Sequence, residues 1–140
     1  MIYKVFGDTI AVRIDRGEEV LAELKKVCEA EHVAAGSLSG IGAADHAVVG
    51  LYEVSTRQYQ KTTLSGEMEI TSLLGNVSQK DGEVYLHIHA AFADEKTGVY
   101  GGPLNECRIS GTCELFIQRL NGAIGRKFDD AETGLNIFDF

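Results

Sequence analysis

The sequence predicts an α+β domain: a mostly antiparallel β-sheet with one long helix packed on it. Three observations carry this. Beyond residue 33 most of the chain falls into runs that alternate apolar and polar residues, or that are rich in β-branched and aromatic ones. A period of two is the pattern of strands. Short turn signals separate the runs: Ser65-Gly66, Asp81-Gly82, Thr97-Gly98 and Asn121-Gly122. Asp-Gly and Asn-Gly are strong hairpin formers, and short turns join antiparallel strands. Only one stretch has convincing helical periodicity.

Taken in order, Val5-Phe6 and Ile10 to Ile14 read as two short strands around the turn Gly7-Asp8. Asp15-Arg16-Gly17-Glu18 follows, a capping Asp three residues before Glu, which signals a helix start. The helix is expected to run to about Glu31. Val20, Leu21, Leu24, Val27 and Cys28 recur on one side of it. Glu18, Glu19, Glu23, Lys25, Lys26 and Glu29 take the other, so the helix should cover one sheet face. Strands are then expected at residues 33–43, 47–54, 57–64, 68–77, 84–92, 99–100, 107–120 and 123–128. The tail, residues 131–140, carries Ile137, Phe138 and Phe140 and is expected to dock on the body or on a neighbour.

At 140 residues the chain predicts a single domain over residues 1–140, with no repeat or linker. It has 13 basic and 21 acidic residues, a net charge of -8. Such a chain repels phosphate backbones, which argues against direct DNA binding. No apolar run approaches the roughly 20 residues of a membrane helix, and the N-terminal residues lack the apolar core of a signal peptide. Three cysteines without a C-x-x-C pair read as reduced thiols of a cytoplasmic protein.

The chemistry concentrates at Leu86-His87-Ile88-His89-Ala90. Residues two apart on a strand share a face. His87 and His89 therefore project side by side, away from the core face formed by Val84, Leu86, Ile88, Ala90 and Phe92. They are within reach of one metal ion, zinc by donor type, but a zinc site needs a third ligand. Asp94, Glu106, Cys107, His32 and His46 are the candidates, none at diagnostic spacing. Gly36 to Gly42 lacks the Lys-Ser/Thr of a phosphate loop and follows the helix instead of preceding it. It reads as close backbone packing. Arg13 and Glu69, if near the His pair, would bind an anionic or polar ligand or would simply pair with each other. No Ser-His-Asp or Cys-His order appears.

Several segments together resemble the PPC domain, also called DUF296, the "plants and prokaryotes conserved" family. They are Arg13 to Val20, Gly40-Ile41-Gly42-Ala43, Leu51-Tyr52-Glu53, Leu64 to Ile70, Ser72 to Val77, Leu86 to His89 and Gly101-Gly102-Pro103-Leu104. The resemblance implies an α/β fold with a mostly antiparallel sheet and a homotrimer. In plants the domain accompanies an AT-hook that binds the DNA minor groove, and a Gly-Arg-Phe-Glu-Ile-Leu segment contacts partner proteins. Two departures stand out. The family has His after the paired glycines, completing three His that hold zinc; here that position is Pro103. No Arg-Gly-Arg-Pro hook is present, so the resemblance implies the stand-alone prokaryotic type, and the DNA-binding label follows from the family name more than from this chain. The partner segment reads Gly66-Glu67-Met68-Glu69-Ile70-Thr71, with Glu67 in place of Arg. The expectation is a cytoplasmic, non-enzymatic homotrimer acting in regulation through protein partners. The alternative is a metal-dependent enzyme or small-molecule binder. Its site would lie at a subunit junction around Arg13, Glu69, His87 and His89.

Overall fold

The computed structural model describes all 140 residues. The elements run β1 (Ile2–Phe6), β2 (Thr9–Ile14), α1 (Val20–Ala30), β3 (Gly36–Glu53), β4 (Gln58–Lys80), β5 (Glu83–Ala93), β6 (Val99–Arg119), β7 (Gly125–Asp129) and β8 (Leu135–Asp139). One sheet takes the order β1-β2-β6-β3-β4-β7-β8, and β5 pairs with both β4 and β6. Strands β3, β4, β5 and β6 thus close a ring. Every pairing is antiparallel except the one between β4 and β7, at Gln79 and Gly125.

The mostly β architecture with one helix is as expected, but the strands are longer and the helix shorter. Residues 33–43 and 47–54 are one strand, as are 57–64 and 68–77, and 99–100 and 107–120. The reason lies in bulges. The β3–β4 ladder slips between Gly40 and Gly42 and between Ala44 and His46. A bulge resets the alternation without ending the strand. Ser65-Gly66, expected as a turn, lies inside β4, where Gly66 takes φ +103°, a conformation that costs glycine little. Asp81-Gly82 does turn the chain between β4 and β5, with φ +53° and +82°, as a type I′ hairpin needs.

The helix is 11 residues and begins four residues later than the sequence suggests. Residues 15–18 form a turn instead, in which the Asp15 amide donates to Glu18 Oε2 at 2.8 Å. The Gly17 amide donates to the Ile109 carbonyl at 2.8 Å and the Ile109 amide to the Glu18 carbonyl at 3.1 Å. These bonds tie the segment to β6. Glu19 then caps the helix, accepting from the Leu21 and Ala22 amides, and also accepts from the Cys107 amide at 3.1 Å. Val20, Leu24, Val27 and Cys28 are fully buried. At about 1.5–3 kcal/mol for each large apolar side chain, this stripe holds the helix on the sheet.

Sheet register sorts the two faces. Ile10, Ile117, Leu38, Gly75 and Ile88 are successive cross-strand partners, and the large side chains among them are buried beneath α1. The neighbouring row is Ala11, Phe116, Ser39, Leu74 and His89. It points the other way, with Phe116 58% and Leu74 56% exposed. The His pair lies on this uncovered face, as the alternation of β5 predicts.

Candidate functional site

His87 and His89 turn their rings toward each other across β5. Their Nε2 atoms are 3.3 Å apart and their ring centroids 5.2 Å apart. They open on a cleft of about 690 Å³. Its floor comes from β5 and β4 (Tyr85, Leu86, Asn76), one wall from β3, the turn that follows it and β6 (Leu51, Val54, Leu104), and the other from β8 (Leu135, Ile137, Phe138). The C-terminal tail therefore docks on the body as expected, but as a second strand that completes a hairpin with β7. The Tyr52 hydroxyl holds the hairpin turn by donating to the Thr133 carbonyl at 2.8 Å.

Arg126 of β7 organises this corner. Its Nε donates to Ser78 Oγ, its Nη1 to the Asn136 carbonyl and its Nη2 to Asn76 Oδ1, each at 2.7 Å. Its guanidinium lies 4.5 Å from the Tyr85 ring centroid and 4.6 Å from that of Phe138, a cation–π sandwich. Burial lowers its pKa. The pKa of His87 is also lowered, first by desolvation, then by the charges of Arg126 and His89. At neutral pH the imidazole pair is thus held uncharged at His87, and protonating it works against the folded state.

The metal expectation can be tested on this geometry. Two nitrogens bonded to one tetrahedral zinc at 2.0–2.1 Å are about 3.3–3.4 Å apart, so the His pair has the bite of half a zinc site. The other half is missing. Pro103 is the direct cross-strand partner of His89 and offers no donor. Cys107 is fully buried in the core, its thiol pushed up to about 12 by burial. Glu106 faces His46 at 3.3 Å. Asp94 is occupied by the Lys96 and Gly98 amides. His32 sits beyond the end of α1 with φ +52°. No three potential ligands converge anywhere in the chain. The residues present do not fit a resident zinc within one protomer.

Nor do Arg13 and Glu69 meet the pair within one chain. Arg13 bonds Asp15 at 2.8 Å, and its cross-strand partner Glu114 lies eleven residues along β6 from Pro103, the partner of His89. Glu69 is five residues along β4 from the partner of His89, about 16 Å at 3.3 Å per residue. It borders a separate hollow with Ile41 and Glu114. The segment Gly66 to Thr71 lies within β4. There Met68 and Ile70 are buried, and Glu67 accepts from the Ser110 hydroxyl at 2.8 Å. Sequence reasoning missed Arg126 and the β8 wall. Their signal was the alternation of Leu135, Ile137 and Asp139 after the turn residues Thr133-Gly134.

Residues 1–121 match the family model described as the Plants and Prokaryotes Conserved (PCC) domain. A "putative DNA-binding protein" of Bacteroides thetaiotaomicron superposes with TM-score 0.95 at 29% identity, over 99% of this chain and 96% of that one. A plant- and prokaryote-conserved (PPC) protein of Pyrococcus horikoshii gives TM-score 0.88 at 33% identity, covering 99% and 95%. A metal-containing protein of Archaeoglobus fulgidus gives 0.90 at 33%, covering 100% and 99%. No match was found among curated proteins.

Proposed function

This chain belongs to the Plants and Prokaryotes Conserved domain family, and from that premise we propose that it is a homotrimeric module that binds a small organic molecule. The observation that carries this is the cleft at His87 and His89. Its volume, about 690 Å³, suits a small ligand. Its mixture of apolar walls with a few converging polar groups is that of small-molecule sites. A resident zinc is no part of the proposal, because two imidazoles opposite a proline hold zinc poorly. The neighbour from Archaeoglobus fulgidus is a metal-containing protein; in this chain the residue opposite His89 is Pro103, which offers no ligand atom.

The uncovered sheet face supports the trimer. Ile41, Leu74 and Phe116 are each more than half exposed on it, and exposed apolar side chains gathered on one face are a common mark of an interface. The row Phe116–Ser39–Leu74–His89 runs from that face to the cleft. A neighbouring copy seated there would be the one to bring its Arg13 or Glu69 toward the His pair. A regulatory role through protein partners at Gly66 to Thr71 remains the second reading, favoured by the exposed Glu67 and Glu69. Three free cysteines suit a reducing cytoplasm as the setting. No helix is long and apolar enough to cross a membrane.

The test is a ligand-observed NMR screen of a mixed small-molecule panel against the protein and against Leu51→Trp. Leu51 is 65% exposed at the cleft, so a larger ring fills the cleft without disturbing the core. Hits lost in Leu51→Trp support the cleft. Hits that survive the plug, or an empty screen, sink the proposal.

A further inference from the structure

We propose that the cleft is selective for a small organic anion, a carboxylate on an apolar body, with Arg126 as the cation that recognises it. This deepens the small-molecule reading of the same cleft and rests on it.

The charge pattern comes first. The chain carries 21 Asp and Glu, yet none is among the 17 residues that line the cleft. The only formal charge there is the cation of Arg126. In an acidic molecule this is a local reversal of sign, and low-dielectric walls focus such a field.

Arg126 itself is unusual in this chain. Four Lys or Arg side chains belong to residues that are neither buried nor fully exposed: Lys25, Lys80, Arg119 and Arg126. Lys25 has Glu83 at 3.3 Å, Lys80 has Asp81 at 2.6 Å and Arg119 has Glu31 at 3.9 Å. Arg126 has no carboxylate. Its three acceptors are a hydroxyl, an amide oxygen and a backbone carbonyl, all neutral. A guanidinium carries five N–H groups, so two remain for a ligand. A partly desolvated cation without a counter-ion is costly, and a carboxylate offers the paired acceptors that a guanidinium fork fits.

The group is also held still. Tyr85 and Phe138 sandwich its plane, and three hydrogen bonds fix its rotation. A receptor ordered before binding loses little entropy on binding. The rest of the cleft sets the remainder of the ligand. Leu51, Val54, Leu86, Leu104, Leu135 and Ile137 are apolar and call for an apolar body, while the neutral His pair, one N–H of which is spent between the two Nε2 atoms at 3.3 Å, leaves one N–H donor for the ligand. One cation with apolar walls suits a monocarboxylate; a phosphate dianion would ask for more positive charge.

Benzoate and its neutral isostere benzamide, titrated calorimetrically into the full-length protein with inorganic phosphate as a third probe, provide the test. Benzoate should bind saturably and at least about tenfold more tightly than benzamide, weakening as salt is added, with no saturable signal from phosphate. Arg126→Gln should remove the benzoate preference, bringing the ratio of the two affinities to about one. The comparison of benzoate with benzamide on the unaltered protein needs no variant, so it stands even if Arg126→Gln unfolds the hairpin. Equal binding of the two overturns anion selectivity while the cleft reading survives. Phosphate binding as tightly as benzoate overturns the carboxylate class. Silence from all three probes overturns the proposal, and the separate panel screen decides whether the cleft reading falls with it.

Discussion

Replacing Pro103 by His should turn a poor zinc site into a tight one. Pro103 stands directly across from His89 in the β5–β6 ladder. Directly opposed residues have Cβ atoms about 4.5–5.5 Å apart on one face. A third imidazole would therefore rise beside two whose nitrogens already stand 3.3 Å apart, the bite that a tetrahedral ion needs. The extended backbone at this position accepts any residue, and no cis peptide is lost. The effect can be read as linkage. Zinc at a hundred times its Kd stabilises the folded state by about 2.7 kcal/mol. For a domain of this length, about 3–4 °C per kcal/mol makes that a rise in Tm of roughly 8–11 °C. Zinc-dependent thermal unfolding should show this rise in Pro103→His and a shift within about 1 °C in the parent at the same zinc concentration. Elemental analysis after dialysis should give one zinc per chain in the variant and well under one in the parent. His89→Ala placed on top of Pro103→His should return the shift to the parent value. One tightly held zinc per parent chain would refute the reasoning, because it would mean that a ligand from a neighbouring copy closes the site without residue 103.

Light scattering on a sizing column should give about 46 kDa, three times the 15.2 kDa chain; a mass of one or two chains at micromolar concentration rules the trimer out. Anisotropy titrations with random and A/T-rich duplexes at physiological salt should stay flat into the tens of micromolar, since counterion release needs clustered Lys and Arg. A trimer would carry three times -8, or -24. Saturable, salt-sensitive binding below about 1 μM would falsify this and restore a direct DNA-binding role.

The strands were legible where the alternation was clean and misleading where bulges broke it. β5 has no internal glycine and keeps period two from Val84 to Phe92, so its core face and its His face could be assigned from sequence. In β3 the glycines at 36, 40 and 42 read as close backbone packing, and that is what they do: a Cβ at Gly40 would lie 2.8 Å from the Glu114 carbonyl oxygen. The false boundary came after Ala43, where the ladder slips between Ala44 and His46 and the alternation resets without a turn. The helix start was misplaced for a related reason. Asp15 and Glu18 do form a reciprocal local contact, but β6 competes for the backbone of Gly17 and Glu18, and a tertiary ladder outweighs a local cap.

The site was half legible for a reason of a different kind. His87 and His89 are neighbours in sequence, so one rule of strand geometry places them together. Arg126 lies 39 positions beyond His87 in the chain and reaches it only because β7 attaches to β4, where Gln79 and Gly125 form the one ladder pair. That attachment rests on side chains more than on a ladder: Ser78 and Asn76 of β4 are the acceptors of Arg126, and Phe138 of β8 closes over its far side. The residue that fastens the hairpin is therefore the same one that gives the cleft its charge. Arg126-Lys127, followed by Asp129 and Asp130, looks like a solvated patch when net charge is summed along the chain. In the fold the four separate. Lys127 pairs with Asp139 at 3.0 Å, Asp130 with Arg57 at 3.0 Å, and Asp129 accepts from Thr133 in the hairpin turn. Arg126 alone is left without an anion, because strand alternation sends it inward to the cleft while its neighbours in sequence find partners at the rim.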